Sequence, residues 1–153
     1  MVEVNELLRV SAEDFFDQVA QSIAYDITES TGKNVRVSQL HKGYSYTKKL
    51  KNKVGRSGEV KVTITDFEVP LIYKAKFETA NGTNTISYEI ERLEDGMIGV
   101  SYAEDYFTDS KLNSLNSKMT TALYKGRAKK KARRLLRAIE RYILEDKEDD
   151  SEE

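Results

Sequence analysis

The stretch Leu112–Leu144, LNSLNSKMTTALYKGRAKKKARRLLRAIERYIL, decides how the rest of the chain is read. Leu112, Leu115, Met119 and Leu123, then Ala128, Ala132, Leu135, Ile139 and Ile143, recur at the three- and four-residue steps of an amphipathic helix. The opposite face is basic. From Lys118 to Arg141 the bases Lys118, Lys125, Arg127, Lys129, Lys130, Lys131, Arg133, Arg134, Arg137 and Arg141 stand against the single acid Glu140. On a straight helix the apolar set before Gly126 and the set after it point to different sides. The spacing therefore predicts a kink, or a break into two helices, near Tyr124–Arg127.

An apolar stripe of this length needs a sheet beneath it, and the preceding residues supply one. Val2, Val4, Leu8 and Val10 alternate with Glu3, Asn5 and Arg9, as in a half-buried strand, and Glu6 falls on the apolar side. Ser11 caps a helix over 12–31, with Asp14 where a capping-box acid sits and Gly32 at the left-handed C-terminal position. Phe15, Val19, Ile23 and Ile27 form its inward stripe. The segment Gly43–Val54 reads as a strand with Tyr44, Tyr46 and Leu50 inward and Lys48 on the same side. Gly55–Gly58 turn the chain into a strand carrying Val60, Val62 and Ile64. After Pro70 come Tyr73, Ala75 and Phe77 on a further strand. Asn81-Gly82 reads as a two-residue hairpin turn needing positive φ, followed by Ile86, Tyr88 and Ile90. Glu94-Asp95-Gly96 turn into a last strand with Ile98, Val100 and Tyr102 inward and Glu104 in the same phase. The order predicts an α+β fold: a curved antiparallel sheet of six or seven strands gripping a long C-terminal helix.

At 153 residues the chain fits one domain, since roughly 70% of the unfolded surface is buried at this length. Charge divides it into residues 1–144 and an acidic tail. Residues 145–153 hold seven acids and Lys147, a tail of −6 after a body of +5. So polar a stretch, with acids at the wrong end of the helix dipole, is expected to be disordered. Composition excludes much chemistry. There is no cysteine and one histidine, His41, which removes disulfides, thiolate nucleophiles and imidazole-built metal or triad sites. No catalytic set, metal or cofactor is expected, and the leading reading is non-enzymatic; an enzyme of the aromatase or cyclase kind, with only Glu6, Glu104 and the tyrosines for acid/base steps, is a third reading. The longest apolar runs fall far short of a membrane span, and residues 1–10 lack a signal-peptide pattern, so the expected location is the cytoplasm.

Several blocks resemble an uncharacterised bacterial family, domain of unknown function 3284. They are Ser11–Asp17, Lys48–Gly55, Gly82–Glu89 and the basic run Ala128–Ala132. That resemblance implies no site residues. The element order also resembles the START-like, helix-grip superfamily, which implies an apolar ligand cavity between sheet and helix, although those domains usually have seven strands and six are placed here.

The candidate pocket residues are Tyr44, Tyr46, Tyr73, Phe77, Tyr88 and Tyr102, with Met119 opposite on the helix. Tyrosines where a core would use phenylalanine or leucine fit either a plain core with satisfied hydroxyls or a pocket with polar tips. Glu6, Lys48 and Glu104 are the inward charges, and the two carboxylates become neighbours if the first and last strands pair. The leading expectation is binding of a small apolar or amphipathic ligand. The alternative is an interaction module binding an acidic partner, nucleic acid or protein, through the basic 48–61 hairpin and the 118–141 helix.

Overall fold

The computed structural model describes residues 1–51, 57–107 and 117–151, with side chains described within 1–49, 58–107 and 125–149. The turn tip at residues 52–56, the stripe residues Leu112 and Leu115, and the side chains of Met119 and Leu123 lie outside these.

Strand β1, Val2–Leu8, is followed by helix α1, Ala12–Thr31. The Ser11 hydroxyl accepts the Asp14 backbone N–H at 3.1 Å, which satisfies one of the donors left free at a helix start. Gly32 ends α1 at φ 74°. A 3-10 turn at Val37–Gln39 follows. The meander is β2 (Ser45–Lys51), β3 (Ser57–Glu68), β4 (Ile72–Thr79), β5 (Gly82–Arg92) and β6 (Ile98–Phe107). Helix α2, Ser117–Ser151, closes the chain. The strands form one antiparallel sheet in the order β1-β6-β5-β4-β3-β2. A register shift between Ile64 and Asp66 marks a bulge on β3, a device that bends a strand. The core joins the inward residues of all six strands to both helices. The protein is thus a curved, open six-stranded sheet gripping a long C-terminal helix.

Four expectations change. First, Thr79 pairs with Gly82, so the hairpin turn is Ala80-Asn81, and neither residue has positive φ. Glycine is needed at 82 for close approach instead, because a Cβ there would lie 2.3 Å from the Phe107 carbonyl oxygen. Second, α2 is one helix from Ser117 to Ser151, with no division at Gly126. A helical glycine costs only about 1 kcal/mol relative to alanine and need not end the helix. Third, the buried stripe runs through Ala132, Leu136 and Ile143, with Ile139 partly buried, while Leu135 is 43% exposed. Fourth, α2 continues beyond Leu144 as far as Ser151. Lys147 reaches Asp14 of α1 at 2.9 Å, tying the acidic end to the domain. The ion pair lowers the Asp14 carboxyl pKa and raises that of Lys147.

The position of α2 is fixed by contacts to β1 and α1. Leu136 is fully buried. Beside it Arg137 bonds Glu6 at 2.7 Å, donates to the Leu7 carbonyl at 3.1 Å and lies 3.4 Å from Glu140. Glu140 in turn accepts the Arg9 backbone N–H at 2.7 Å. The corrected stripe has a direct consequence. Leu136→Ala should lower unfolding free energy by about 2–5 kcal/mol, whereas Leu135→Ala should cost no more than about 1 kcal/mol. Denaturant midpoints of the two variants check this, and equal losses would restore Leu135 to the buried stripe.

Candidate ligand cleft

Period-two alternation sends Tyr46 and Lys48 of β2, Tyr73 and Phe77 of β4, and Ile86 and Tyr88 of β5 to the inward face. Opposite them, the three- and four-residue steps of α1 carry Val19, Ser22, Ile23 and Asp26, while α2 adds Leu135 and Ile139. These side chains line an open cleft of about 260 Å³. That exceeds the roughly 150 Å³ of an engineered apolar cavity that binds benzene.

The walls are apolar and the polar groups gather on one side. Tyr46 donates its hydroxyl to Asp26 at 2.6 Å, and Lys48 approaches the same carboxylate at 3.2 Å. The Lys48 ammonium also lies 5.8 Å from the centre of the Phe77 ring, within range of its negative face. Tyr73 and Tyr88 differ from Tyr46. Neither hydroxyl takes a hydrogen bond from or to a described residue, yet no buried side-chain polar atom among those residues lacks a partner. The two phenol oxygens are therefore not fully sealed, and both residues line the cleft.

An aromatic ladder holds these rings in place. Tyr73 packs on Tyr88 with centroids 6.1 Å apart, Tyr88 meets Tyr102 edge-on at 5.0 Å, and Phe15 of α1 approaches Tyr88 at 6.2 Å. Phe67 of β3 bridges Phe16 and Tyr73.

The expected site residues divide accordingly. Tyr46, Tyr73, Phe77, Tyr88 and Lys48 line the cleft. Tyr44 lies beside it, between Tyr46 and the exposed loop residue His41. Tyr102 stands behind Tyr88 with its hydroxyl on Glu104. The side chain of Met119 is outside the described residues. β1 and β6 do pair, but their register sets Glu104 opposite Val2 and Glu6 opposite Val100. The carboxylates are not neighbours, and Glu6 instead binds Arg133 at 3.4 Å and Arg137 at 2.7 Å. Asp26 was missed by sequence reasoning. Its signal was an acid three residues after Ile23, on the flank of the α1 stripe, with an inward lysine needing a counter-charge.

Residues 2–125 match the family model described as a domain of unknown function (DUF3284). The chain belongs to this family. The family match stops before the basic run Ala128–Ala132. No curated protein matches the sequence significantly. Among solved structures, the protein of unknown function SA2116 from Staphylococcus aureus is similar at TM-score 0.61 and 13% identity, over 97% of this chain and 94% of that one. Ara h 8.0201 is similar at TM-score 0.58 and 13% identity, over 94% and 96%. A conserved protein from Geobacillus kaustophilus is similar at TM-score 0.57 and 14% identity, over 94% of each chain. At such identities the likeness is one of fold, and the chain has a helix-grip fold. Among the described residues no helix is long and apolar enough to cross a membrane, and no three His, Cys, Asp or Glu side chains are grouped to hold a metal ion.

Burial keeps the cleft phenols neutral. The pKa values of Tyr46, Tyr73 and Tyr88 are pushed well above the usual value near 10, first by desolvation, with Asp26 adding to the effect at Tyr46. The folded chain then retains protons that the unfolded chain releases. This contribution to stability is fully present below about pH 10 and is lost as pH rises beyond it. Urea midpoints should hold level up to about pH 9.5 and fall above pH 10, and the triple variant Y46F/Y73F/Y88F should flatten that fall. An unchanged slope in the triple variant would contradict the burial of these phenols.

Proposed function

We propose that this member of the family is a non-enzymatic binder of a small amphipathic molecule, held between the sheet and the two helices. The observation that carries the reading is the pair of phenol hydroxyls, Tyr73 and Tyr88, unpaired with any described residue, in a cleft that also holds the Asp26–Lys48 pair among apolar walls. A solid core leaves such donors either bonded or replaced by phenylalanine. The apolar body of the ligand lies against Ile23, Phe77, Ile86 and Ile139, and its polar group meets the two hydroxyls or the Asp26–Lys48 pair. The small volume favours a compact ring system over a long acyl chain. The helix-grip fold supports the placement, and a cytoplasmic role belongs to the same proposal.

The chemistry of the lining argues for binding over turnover. Asp26 is already engaged by Tyr46 and Lys48, and the phenols are held neutral, so the cleft offers hydrogen-bond donors rather than a poised base. For the alternative acidic partner, the two basic elements belong to opposite edges of the sheet: β2 is one edge, and α2 reaches β1 at the other through Arg133 and Arg137.

Filling the cleft tests the proposal. Ile86 is only partly buried, and Ile86→Phe adds volume where space exists. The parent should take up the neutral dye N-phenyl-1-naphthylamine. Ile86→Phe should weaken uptake about tenfold or more while shifting unfolding by less than about 1 kcal/mol. Absence of uptake by the parent, with about 1–3 kcal/mol of destabilisation in the variant, would show a close-packed core and end the proposal.

A further inference from the structure

We infer that the outward face of α2 is a binding site for a compact anion carrying several phosphate groups, separate from the cleft. Lys130, Arg134, Arg137 and Arg141 follow one another at three- and four-residue steps, on the side of α2 turned away from Ala132, Leu136 and Ile143. With Arg133, Glu6 and Ala138 they line a groove of about 490 Å³.

Charge is in surplus there. Glu6 engages Arg133 and Arg137, and Glu140 also engages Arg137. Lys130, Arg134 and Arg141 make no ion pair with any described residue. The row is also held in position at its centre, because Arg137 is fixed by Glu6, Glu140 and the Leu7 carbonyl. A guanidinium offers five N–H donors in a planar fork, so Arg137 keeps donors beyond those it uses, and Arg134 and Arg141 keep all of theirs. Arginine forks match phosphate oxygens two at a time.

The surroundings limit the size of the anion. Lys130 to Arg141 spans about 16 Å along a helix. Past Arg141 the helix turns acidic at Glu145, Asp146, Glu148 and Asp149, and the adjoining concavity over β1, β5 and β6 carries Glu89 and Glu91. A long polyanion laid on the arginines would run into these acids, while a short phosphate chain would not. Among the described residues no aromatic ring lines the groove, and they offer there no stacking surface of the kind used for single-stranded nucleic acid.

Sodium tripolyphosphate is the probe, titrated calorimetrically into the full chain in about 50 mM and about 200 mM salt. Binding is expected at low salt and should weaken about tenfold or more at the higher salt. R134E/R141E should weaken it at least tenfold at low salt while uptake of the neutral dye is unchanged, which reports an intact fold. K33E/K42E makes the same change of net charge at exposed lysines of another surface and should leave binding within about twofold. A nucleoside triphosphate binding as tightly as tripolyphosphate would identify the phosphate chain as the recognised group. Tenfold tighter binding of the nucleotide would identify a nucleotide as its source. No tripolyphosphate binding at low salt, an equal loss in K33E/K42E, or tighter binding of a ten-nucleotide single-stranded RNA would each overturn the assignment.

Discussion

The docking of α2 on β1 and α1 is the contact on which the rest of the molecule depends. One turn of that helix faces four ways. Leu136 enters the core, and Leu135 with Ile139 forms a wall of the cleft. Arg137 clasps Glu6 and the Leu7 carbonyl at the sheet edge, and Arg134 points outward. The 3.6-residue period makes this distribution possible. It also explains why a helix so rich in bases packs on a sheet at all: its charges occupy the side the core does not need. The buried apolar contact supplies affinity between helix and sheet, and the Glu6–Arg137 pair sets their register. Breaking that pair would leave Glu6, whose side chain is only 14% exposed, with a weakened set of partners.

On the other side of the cleft the sheet presents rings rather than aliphatic side chains. Tyr46, Tyr73, Tyr88 and Tyr102 stand on four different strands, and tilted and edge-on contacts run from Tyr73 through Tyr88 to Tyr102. Two of these phenols are satisfied within the protein, Tyr46 by Asp26 and Tyr102 by Glu104. The other two are not, and desolvation keeps them as neutral donors. The result is a small apolar space with directed hydrogen-bonding capacity and one ion pair, a combination suited to orienting a ligand more than to transforming it.

Much of this was legible in the sequence because side-chain direction is a local property. Alternation placed Tyr46, Tyr73, Phe77 and Tyr88 on one face, and the four-residue stripe and Ser11–Gly32 caps placed α1, without reference to any partner. What failed depended on partners distant in the chain. The Leu135-Leu136 doublet leaves the stripe ambiguous by one residue, and only packing against the core selects Leu136. The close approach of Phe107 to Gly82 is a tertiary fact, and the local Asn81-Gly82 pattern by itself signals only a turn. Glu6 and Glu104 share a face, but the register of β1 on β6 separates them and gives Glu6 to two arginines. The acidic end of α2 carries no apolar stripe of its own, and the contact of Lys147 with Asp14 comes from outside the segment. Asp26 was hidden for the same reason, since its meaning comes from Lys48 and Tyr46 on a strand about twenty residues away.

The central claim is that the space under α2 is a ligand cavity distinct from the packed core. Methyl-resolved NMR of the isoleucines, recorded while N-phenyl-1-naphthylamine is titrated in, tests it most directly. Ile23, Ile86 and Ile139 line the cleft, whereas Ile64 and Ile98 are buried in the core at 0% and 2% exposure. Saturable shifts at the first three, with Ile64 and Ile98 unmoved, are the predicted result. No shifts, or shifts of equal size at all five, would contradict it.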